Sequence, residues 1–99
     1  MLMKPPHPGE TIKEEYLLPL GISVNVLAKA LGIGAARLNE IVCGRRGITA
    51  DTALRLARYF GTTPELWINL QAFYDLRMAQ RKSGREIERK VNRVKLRWS

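Results

Sequence analysis

The sequence predicts an all-α protein of five helices that is followed by a basic C-terminal tail. Apolar residues recur at spacings of three and four, and glycines separate the segments that show this period. No stretch within residues 1–80 alternates apolar and polar residues over any length, as a half-buried strand would. Because 99 residues supply one hydrophobic core, we expect one helical domain over residues 1–82 and a tail over residues 83–99.

Glycines and capping residues set the expected bounds of the first three helices. The first begins near Pro8 and ends at Gly21, and Ser23 is placed to cap the second, which Gly32 ends. The third runs from about Gly34 to Cys43. The apolar residues expected to face the core are Ile12, Tyr16, Leu17, Leu27, Ala28, Leu31, Leu38, Ile41 and Val42.

Threonines begin the last two predicted helices. Thr49 caps the fourth, Asp51 lies in its first turn where a carboxylate suits the helix dipole, and Gly61 ends it. Thr63 caps the fifth, which has Pro64 at its first position. The residues expected to be buried are Ala53, Leu54, Ala57 and Phe60 in the fourth helix, and Leu66, Trp67, Leu70, Phe73 and Tyr74 in the fifth.

The net charge of +8 is concentrated at the C-terminus. Residues 81–99 hold eight Lys and Arg against two acids, whereas residues 1–80 hold nine against seven. Gly84, at the end of the junction Arg81-Lys82-Ser83-Gly84, is a candidate helix stop or hinge. Beyond it so much charge favours disorder in isolation. The apolar residues there fit two ordered alternatives, a helical stripe of Ile87, Val91 and Val94 or a strand of Val94, Leu96 and Trp98.

Composition argues against several classes of protein. No segment approaches the roughly 20 apolar residues of a membrane helix. The N-terminus lacks the apolar run of a signal peptide, so we expect a cytoplasmic chain with no membrane association. One cysteine forms no internal disulfide, and one histidine with one cysteine supplies no zinc site. Because no acid cluster is present and no histidine lies near Cys43, we expect no catalysis, no metal and no cofactor.

The second and third predicted helices form the most informative pair. Ala28 lies four residues before Gly32, and a small side chain is needed there because helices joined by so tight a turn cross closely. Ile33, Leu38 and Ile41 then hold the third helix against the second. This pattern is the spacing of a helix-turn-helix, whose second helix is free to enter the major groove of DNA.

The exposed positions of the third helix and its flanks supply the candidate DNA contacts. Asn39 is suited to reading adenine, and Arg37 to reading guanine or holding phosphate. Ala35 and Ala36 offer contact with thymine methyl groups or leave space. Asn25 and the two arginines that follow the third helix are expected on backbone phosphates. The full predicted set is Asn25, Ala35, Ala36, Arg37, Asn39, Arg45 and Arg46.

Several segments together carry a family resemblance. They are Pro6-His7-Pro8-Gly9-Glu10, Leu27-Ala-Lys-Ala-Leu-Gly-Ile, Leu38-Asn-Glu-Ile-Val-Cys-Gly-Arg-Arg-Gly-Ile-Thr and the stretch from Ala53 that contains Gly-Thr-Thr-Pro-Glu-Leu-Trp. Across residues 5–80 the chain resembles the HigA antitoxins, which are Xre-type, lambda-repressor-like helix-turn-helix proteins. The resemblance implies a homodimer that binds double-stranded DNA at an inverted-repeat operator and represses its own operon. It also implies a partner, a HigB-like toxin that cuts mRNA and that the antitoxin neutralises.

The chain departs from the family pattern at the start of the third helix. Gly34-Ala35-Ala36 stands where family members carry polar or basic residues. We therefore expect base readout to depend on Arg37, Asn39 and DNA shape. The basic tail lies outside the matched part, so the resemblance assigns it no role.

Three other functions fit parts of the pattern. A plain Xre-type regulator would share the DNA-binding residues but have no toxin partner. A small nucleic-acid-processing enzyme would need a general base or metal site, for which the sequence offers only His7 and Cys43. A non-specific DNA binder driven by the tail would lose its affinity for all sequences equally on truncation after Lys82.

Overall fold

The computed structural model describes residues 4–95, and five helices occupy most of that range. The first, α1, consists of an α-helical segment, a π-helical turn and a short final segment that follow one another without a break. The bounds are Pro8–Ile12, Lys13–Leu17 and Leu18–Leu20 within α1, Val24–Leu31 for α2, Ala35–Val42 for α3, Ala50–Phe60 for α4 and Pro64–Lys90 for α5. Residues 4–95 contain no strand, which confirms the all-α prediction for that part of the chain.

The predicted capping residues do cap their helices. The hydroxyl oxygens of Ser23, Thr49 and Thr63 accept hydrogen bonds from the backbone N–H groups three residues later, at 3.1, 3.3 and 3.2 Å. Gly32 and Gly61 end α2 and α4 in the left-handed conformation, with φ of 72° and 73°. Glycine adopts positive φ without the steric penalty that other residues meet, so the sequence order of caps and glycines correctly placed these helices.

The α2–α3 pair lies at the centre of the core. Ala28 of α2 and Leu38 of α3 are buried, and the N–H of Ile33 donates to the carbonyl oxygen of Ala28 at 3.1 Å across the turn. Trp67 of α5 is fully buried, and its indole N–H donates to Oγ1 of Thr62 at 2.8 Å. The predicted helix-turn-helix is therefore formed, with α3 as its second helix. The other buried apolar residues are Ile12, Leu17, Leu27, Leu31, Ile41, Ile48, Ala53, Leu56 and Ala57.

The predicted buried face of α4 is wrong at one position. Leu54 is 59% exposed, whereas Leu56, which the prediction omitted, is fully buried. The buried stripe of α4 runs through Thr52, Ala53, Leu56 and Ala57. Leu54 lies outside this stripe because a helix turns about 100° per residue, which carries it to the solvent side.

The predicted buried face of α5 is too wide. Trp67 is buried and Leu70 and Tyr74 are partly buried, but Leu66 and Phe73 are exposed. Only one side of α5 packs on the body, where α4 and α1 contact it. The other apolar side chains therefore stay at the surface.

α5 continues through the predicted helix stop. Gly84 lies inside the helix and does not adopt a positive φ, and α5 ends at Lys90 with an extended Val91 as its C-cap. A glycine in a helix costs only about 0.5–1 kcal/mol relative to alanine, and the flanking Arg, Lys, Gln and Glu residues favour the helix. Of the predicted helical stripe only Ile87 lies in α5, whereas Val91 and Val94 lie beyond its end. Residues 91–95 form no regular element, and Leu96 and Trp98 of the strand alternative lie outside the described residues.

α1 lies against the inner side of α3. Gly9 approaches Ile41 so closely that an added Cβ would overlap the backbone carbonyl oxygen of Ile41. His7 is buried and caps α1, because its Nδ1 accepts a hydrogen bond from the N–H of Gly9 at 2.9 Å. The N-terminal segment thereby holds the inner side of α3 in place, while the outer side of α3 faces solvent.

Candidate nucleic-acid interface

The outer side of α3 presents three of the predicted contact residues. Ala35, Ala36 and Asn39 are all exposed. Gly34 begins α3 as its N-cap, and no side chain among residues 4–95 makes a capping hydrogen bond there. The first amide groups of α3 therefore have no side-chain cap among the described residues.

Asn25 flanks this surface on α2. It is exposed and is the second residue of the helix, beside the amide groups of the first turn. A helix N-terminus carries a partial positive charge that favours a phosphate. The position of Asn25 suits the phosphate contact predicted for it.

Arg37 lies at the junction of α3 and α4. Its Nη2 donates to Oγ1 of Thr52 at 3.1 Å and to Oγ1 of Thr49 at 3.5 Å, so the guanidinium rests on the N-terminus of α4. Its Nε is buried without a hydrogen-bond partner among the described residues. In this arrangement Arg37 ties α3 to α4. Direct contact with guanine or phosphate stays a prediction, and it requires the guanidinium to turn outward.

The two arginines after α3 differ in their partners. Arg46 forms an ion pair with Glu40 of α3, with Nη2 3.0 Å from Oε1. Both side chains are about half exposed, so the pair adds little stability but offsets a carboxylate that would repel phosphate. Arg45 is exposed and makes no ion pair within residues 4–95. Arg45 is therefore the better placed of the two to bind phosphate.

Arg45 and Arg46 line a cleft, and contacts among the other residues of this cleft hold the loop that carries them. Oε1 of Gln71 in α5 accepts a hydrogen bond from the N–H of Ile48 at 2.8 Å. Gly44 has a φ of 78°, and a side chain there would lie 3.7 Å from the ring of His7. The ring of Tyr74 meets that of His7 edge-on, with centroids 4.8 Å apart. These contacts join residues distant in sequence, which explains why spacing alone gave no sign of them.

His7 is the one described group in this region whose pKa is clearly shifted. Burial lowers the pKa of His7, while the Asp75 and Glu10 carboxylates partly oppose that shift and Lys4 adds to it. Its Nδ1 accepts a hydrogen bond in the structure, which only the unprotonated nitrogen can do. The cap thus requires neutral His7.

No group of three or more His, Cys, Asp or Glu side chains within residues 4–95 is arranged to hold a metal ion. No helix in that range is long and apolar enough to cross a membrane.

Comparison with known proteins identifies the family of the helix-turn-helix. A helix-turn-helix family profile matches residues 12–67. Virulence-associated protein I of Dichelobacter nodosus is 60% identical over 74 residues, which span 75% of this chain and 68% of that protein.

Two solved structures of antitoxins match the fold of this protein over nearly the whole chain. An addiction module antidote protein of the HigA family from Coxiella burnetii is 53% identical with a TM-score of 0.88, covering 93% of this chain and 100% of that one. The Pseudomonas aeruginosa antitoxin HigA, solved with the higBA promoter, is 43% identical with a TM-score of 0.89 and covers 92% of this chain and 99% of that one.

Proposed function

Since this chain belongs to the Xre-type helix-turn-helix family that includes the HigA antitoxins, we propose that it is a sequence-specific DNA-binding antitoxin. It binds an operator in its own promoter, represses the operon and neutralises an mRNA-cutting, HigB-like toxin. The observation that carries the DNA-binding half is the exposed first turn of α3, which the N-termini of α2 and α4 flank. The likeness to an antitoxin solved with promoter DNA supports the same half.

In the proposed complex with DNA, different residues contact the bases and the phosphates. α3 enters the major groove, where Asn39 reads adenine and the two alanines pack against thymine methyl groups. Arg45 and Asn25 bind the phosphates on either side and set the register of the helix. Since phosphate contacts release condensed counterions, affinity falls steeply as salt rises.

The same proposal makes the protein a homodimer. Two copies related by a two-fold axis would place their α3 helices in successive major grooves, about 34 Å apart, on an inverted repeat. Phe73 and Leu76 on α5 are 50% and 55% exposed, and Ile87 lies three turns beyond Leu76 on the same side. We assign the subunit contact to this apolar side of α5. No reaction is assigned to the chain, and its place of action is the cytoplasm, where both DNA and mRNA are present.

The DNA-binding half is tested with the promoter of its own operon. Titration of a labelled promoter duplex and of a scrambled duplex of equal length and composition measures the preference at one fixed salt concentration. A specific repressor prefers its operator by at least about a thousandfold. Equal affinity for both duplexes would contradict the proposal and favour a non-specific binder.

The antitoxin half is tested with the small reading frame beside its gene. That frame is expressed alone and together with this chain, and growth and co-purification are recorded. We expect the frame to stop growth alone, and this chain to restore growth and co-purify with the product. A harmless or non-binding neighbour would leave a dimeric regulator that has no toxin partner.

A further inference from the structure

The C-terminal half of α5 leaves the body on the side of the molecule that carries the loop after α3, which holds Arg45 and Arg46. α4 and α5 are joined by residues 61–63 and pack along each other, so α5 returns antiparallel to α4. The bond from Ile48 to Gln71 places the second turn of α5 beside the start of α4. Asp75 lines the same cleft as Arg45. Beyond Asp75 the helix therefore projects past the loop that follows α3.

This projecting segment is long and exposed. Residues 76–90 extend for about 20 Å at the rise of an α-helix. The described chain measures 53 Å along its long axis but only 28 and 22 Å across it. Every residue of 85–90 is exposed. The segment, residues 76–90, is called the arm below.

The arm carries a row of unneutralised positive charge. Arg77, Arg81, Arg85 and Arg89 recur every four residues and so form one inclined row on the helix surface. In the described part of the chain, the arm's only ion pair joins Lys90 to Glu86 at 2.8 Å. The four arginines of the row form none with any described carboxylate.

The row is also unfavourable for the helix that bears it. Like charges four residues apart destabilise a helix by roughly 0.2–0.5 kcal/mol per pair, and the row contains three such neighbours. A polyanion laid along the row would remove that repulsion. Binding and helix stability in the arm should therefore rise together.

We propose that the arm is a second DNA-binding surface, which grips backbone phosphates beside the groove that α3 enters. This inference rests on the proposed function for the position of the DNA. Arginines in such a row bind phosphate by charge and do not distinguish one base from another. The arm thus raises affinity for any duplex by a similar factor and leaves operator preference to α3.

The test compares salt dependence in matched variants. Arg81→Gln/Arg85→Gln removes two charges from the row and keeps helix propensity almost unchanged. Arg81→Lys/Arg85→Lys keeps both charges. Arg58→Gln removes an exposed charge at the end of α4 opposite Thr49. Each protein is titrated with the promoter duplex and the scrambled duplex between about 50 and 200 mM salt.

Each lost phosphate contact lowers the slope of log affinity against log salt by about 0.9. The proposed dimer carries two arms, so the double glutamine variant loses about four contacts. From about 50 to 200 mM salt its affinity for either duplex should fall by a factor about a hundred times smaller than that of wild type. The lysine variant and Arg58→Gln should keep the wild-type slope. An unchanged slope in the double glutamine variant would overturn the proposal. A change seen with single-stranded RNA and not with duplex DNA would also overturn it, and would assign the arm to RNA.

Amide hydrogen exchange gives a second readout that does not depend on operator preference. Free protein should exchange rapidly over residues 82–90, and saturation with scrambled duplex should slow that exchange. Protection of α3 without protection of residues 82–90 would contradict the arm contact. If wild type shows no operator preference but the arm is still protected, the proposed repressor function fails and the arm proposal stands.

Discussion

The imidazole of His7 connects three parts of the molecule. It caps α1 through Gly9, packs under Gly44 in the loop after α3, and meets Tyr74 of α5. Of these contacts, the cap requires an unprotonated Nδ1. A single proton on Nδ1 therefore breaks the cap of α1, next to the loop that carries Arg45 and Arg46.

The stability of the protein should depend on the protonation of His7. Because burial lowers its pKa in the folded state, the unfolded chain takes up a proton that the folded chain resists. Stability is thus full above the unfolded pKa of about 6.5 and falls as the pH drops below it. We expect Tm to decrease from about pH 7.5 to about pH 5.5, and to decrease less in His7→Asn, which retains a capping acceptor. Parallel curves for the two proteins would assign the pH dependence to other groups.

Asn39 and Arg45 should differ in the kind of affinity they supply. Asn39→Ala should weaken operator binding by about 1–3 kcal/mol, because a base contact is lost, and should scarcely change binding to scrambled DNA. Arg45→Gln should weaken both duplexes alike and lower the salt slope by about 1.8, because the proposed dimer loses one phosphate contact in each subunit. Titrations of both duplexes at several salt concentrations separate the two effects. A uniform loss for Asn39→Ala would place its side chain on phosphate.

On the scale of the element, α5 offers a direct check of where it ends. Gly84 lies within the helix, and a Cβ there would have Gln80 Cβ as its nearest neighbour at 3.9 Å. Gly84→Ala should therefore stabilise the arm helix by about 0.5–1 kcal/mol. Circular dichroism at 222 nm should show more helix, and residues 82–90 should exchange amide protons more slowly. A loss of helix signal would restore Gly84 as a left-handed helix stop.

α4 provides a matched pair of leucines. Leu56 is fully buried and Leu54 is 59% exposed, although they lie two residues apart. Leu56→Ala should lower the free energy of unfolding by about 2–5 kcal/mol, since it leaves a cavity. Leu54→Ala should change it by no more than about 0.5 kcal/mol. Chemical denaturation of both variants measures the difference, and similar losses would contradict the orientation of α4.

Local signals allowed most of the elements to be predicted from the sequence. Ser23, Thr49 and Thr63 act within three residues of themselves, and Gly32 ends α2 through its own φ. The stop at Gly84 failed because a glycine permits a left-handed turn without requiring one. The π-helical turn of α1 was missed as well, since Lys13–Leu17 carries no distinctive spacing.

The candidate site could be predicted only in part. Asn39 and Arg45 were correctly placed at the surface, because helical spacing determines which side of a helix faces solvent. The bond from Arg37 to Thr52 and the bond from Ile48 to Gln71 join residues 15 and 23 positions apart. Such pairs depend on how helices pack, which one sequence does not reveal.

Viewed as a whole molecule, the protein is a small body with one long helix that reaches beyond it. The apolar side of that helix contains Phe73, Leu76 and Ile87, and much of each of these side chains is exposed. A contact between two copies would cover this side together with Arg77, whose guanidinium lies 4.8 Å from the centroid of the Phe73 ring, and would leave Arg81, Arg85 and Arg89 for DNA. Subunit pairing and phosphate binding would then use different sides of α5.

The subunit contact can be tested with one substitution. Leu76→Glu places a charge in the proposed interface and should convert the dimer into a monomer, because an unpaired buried charge is costly. Leu20→Glu alters another leucine, 59% exposed on α1, and should leave the dimer intact. Sedimentation velocity at micromolar concentration distinguishes the two states. A dimer that survives Leu76→Glu would place the contact elsewhere.

The two sides of α3 meet different demands. Its inner side is held by Gly9 and the core, whereas Ala35, Ala36 and Asn39 point outward with little role in folding. If α3 reads the operator as proposed, changes at these three exposed positions would give a new operator preference without unfolding the protein. Copies of the protein that differ at these positions would bind different operators, so they could act in one cell without binding the operators of the others. The same fold could therefore serve many repressors that each recognise a separate operator.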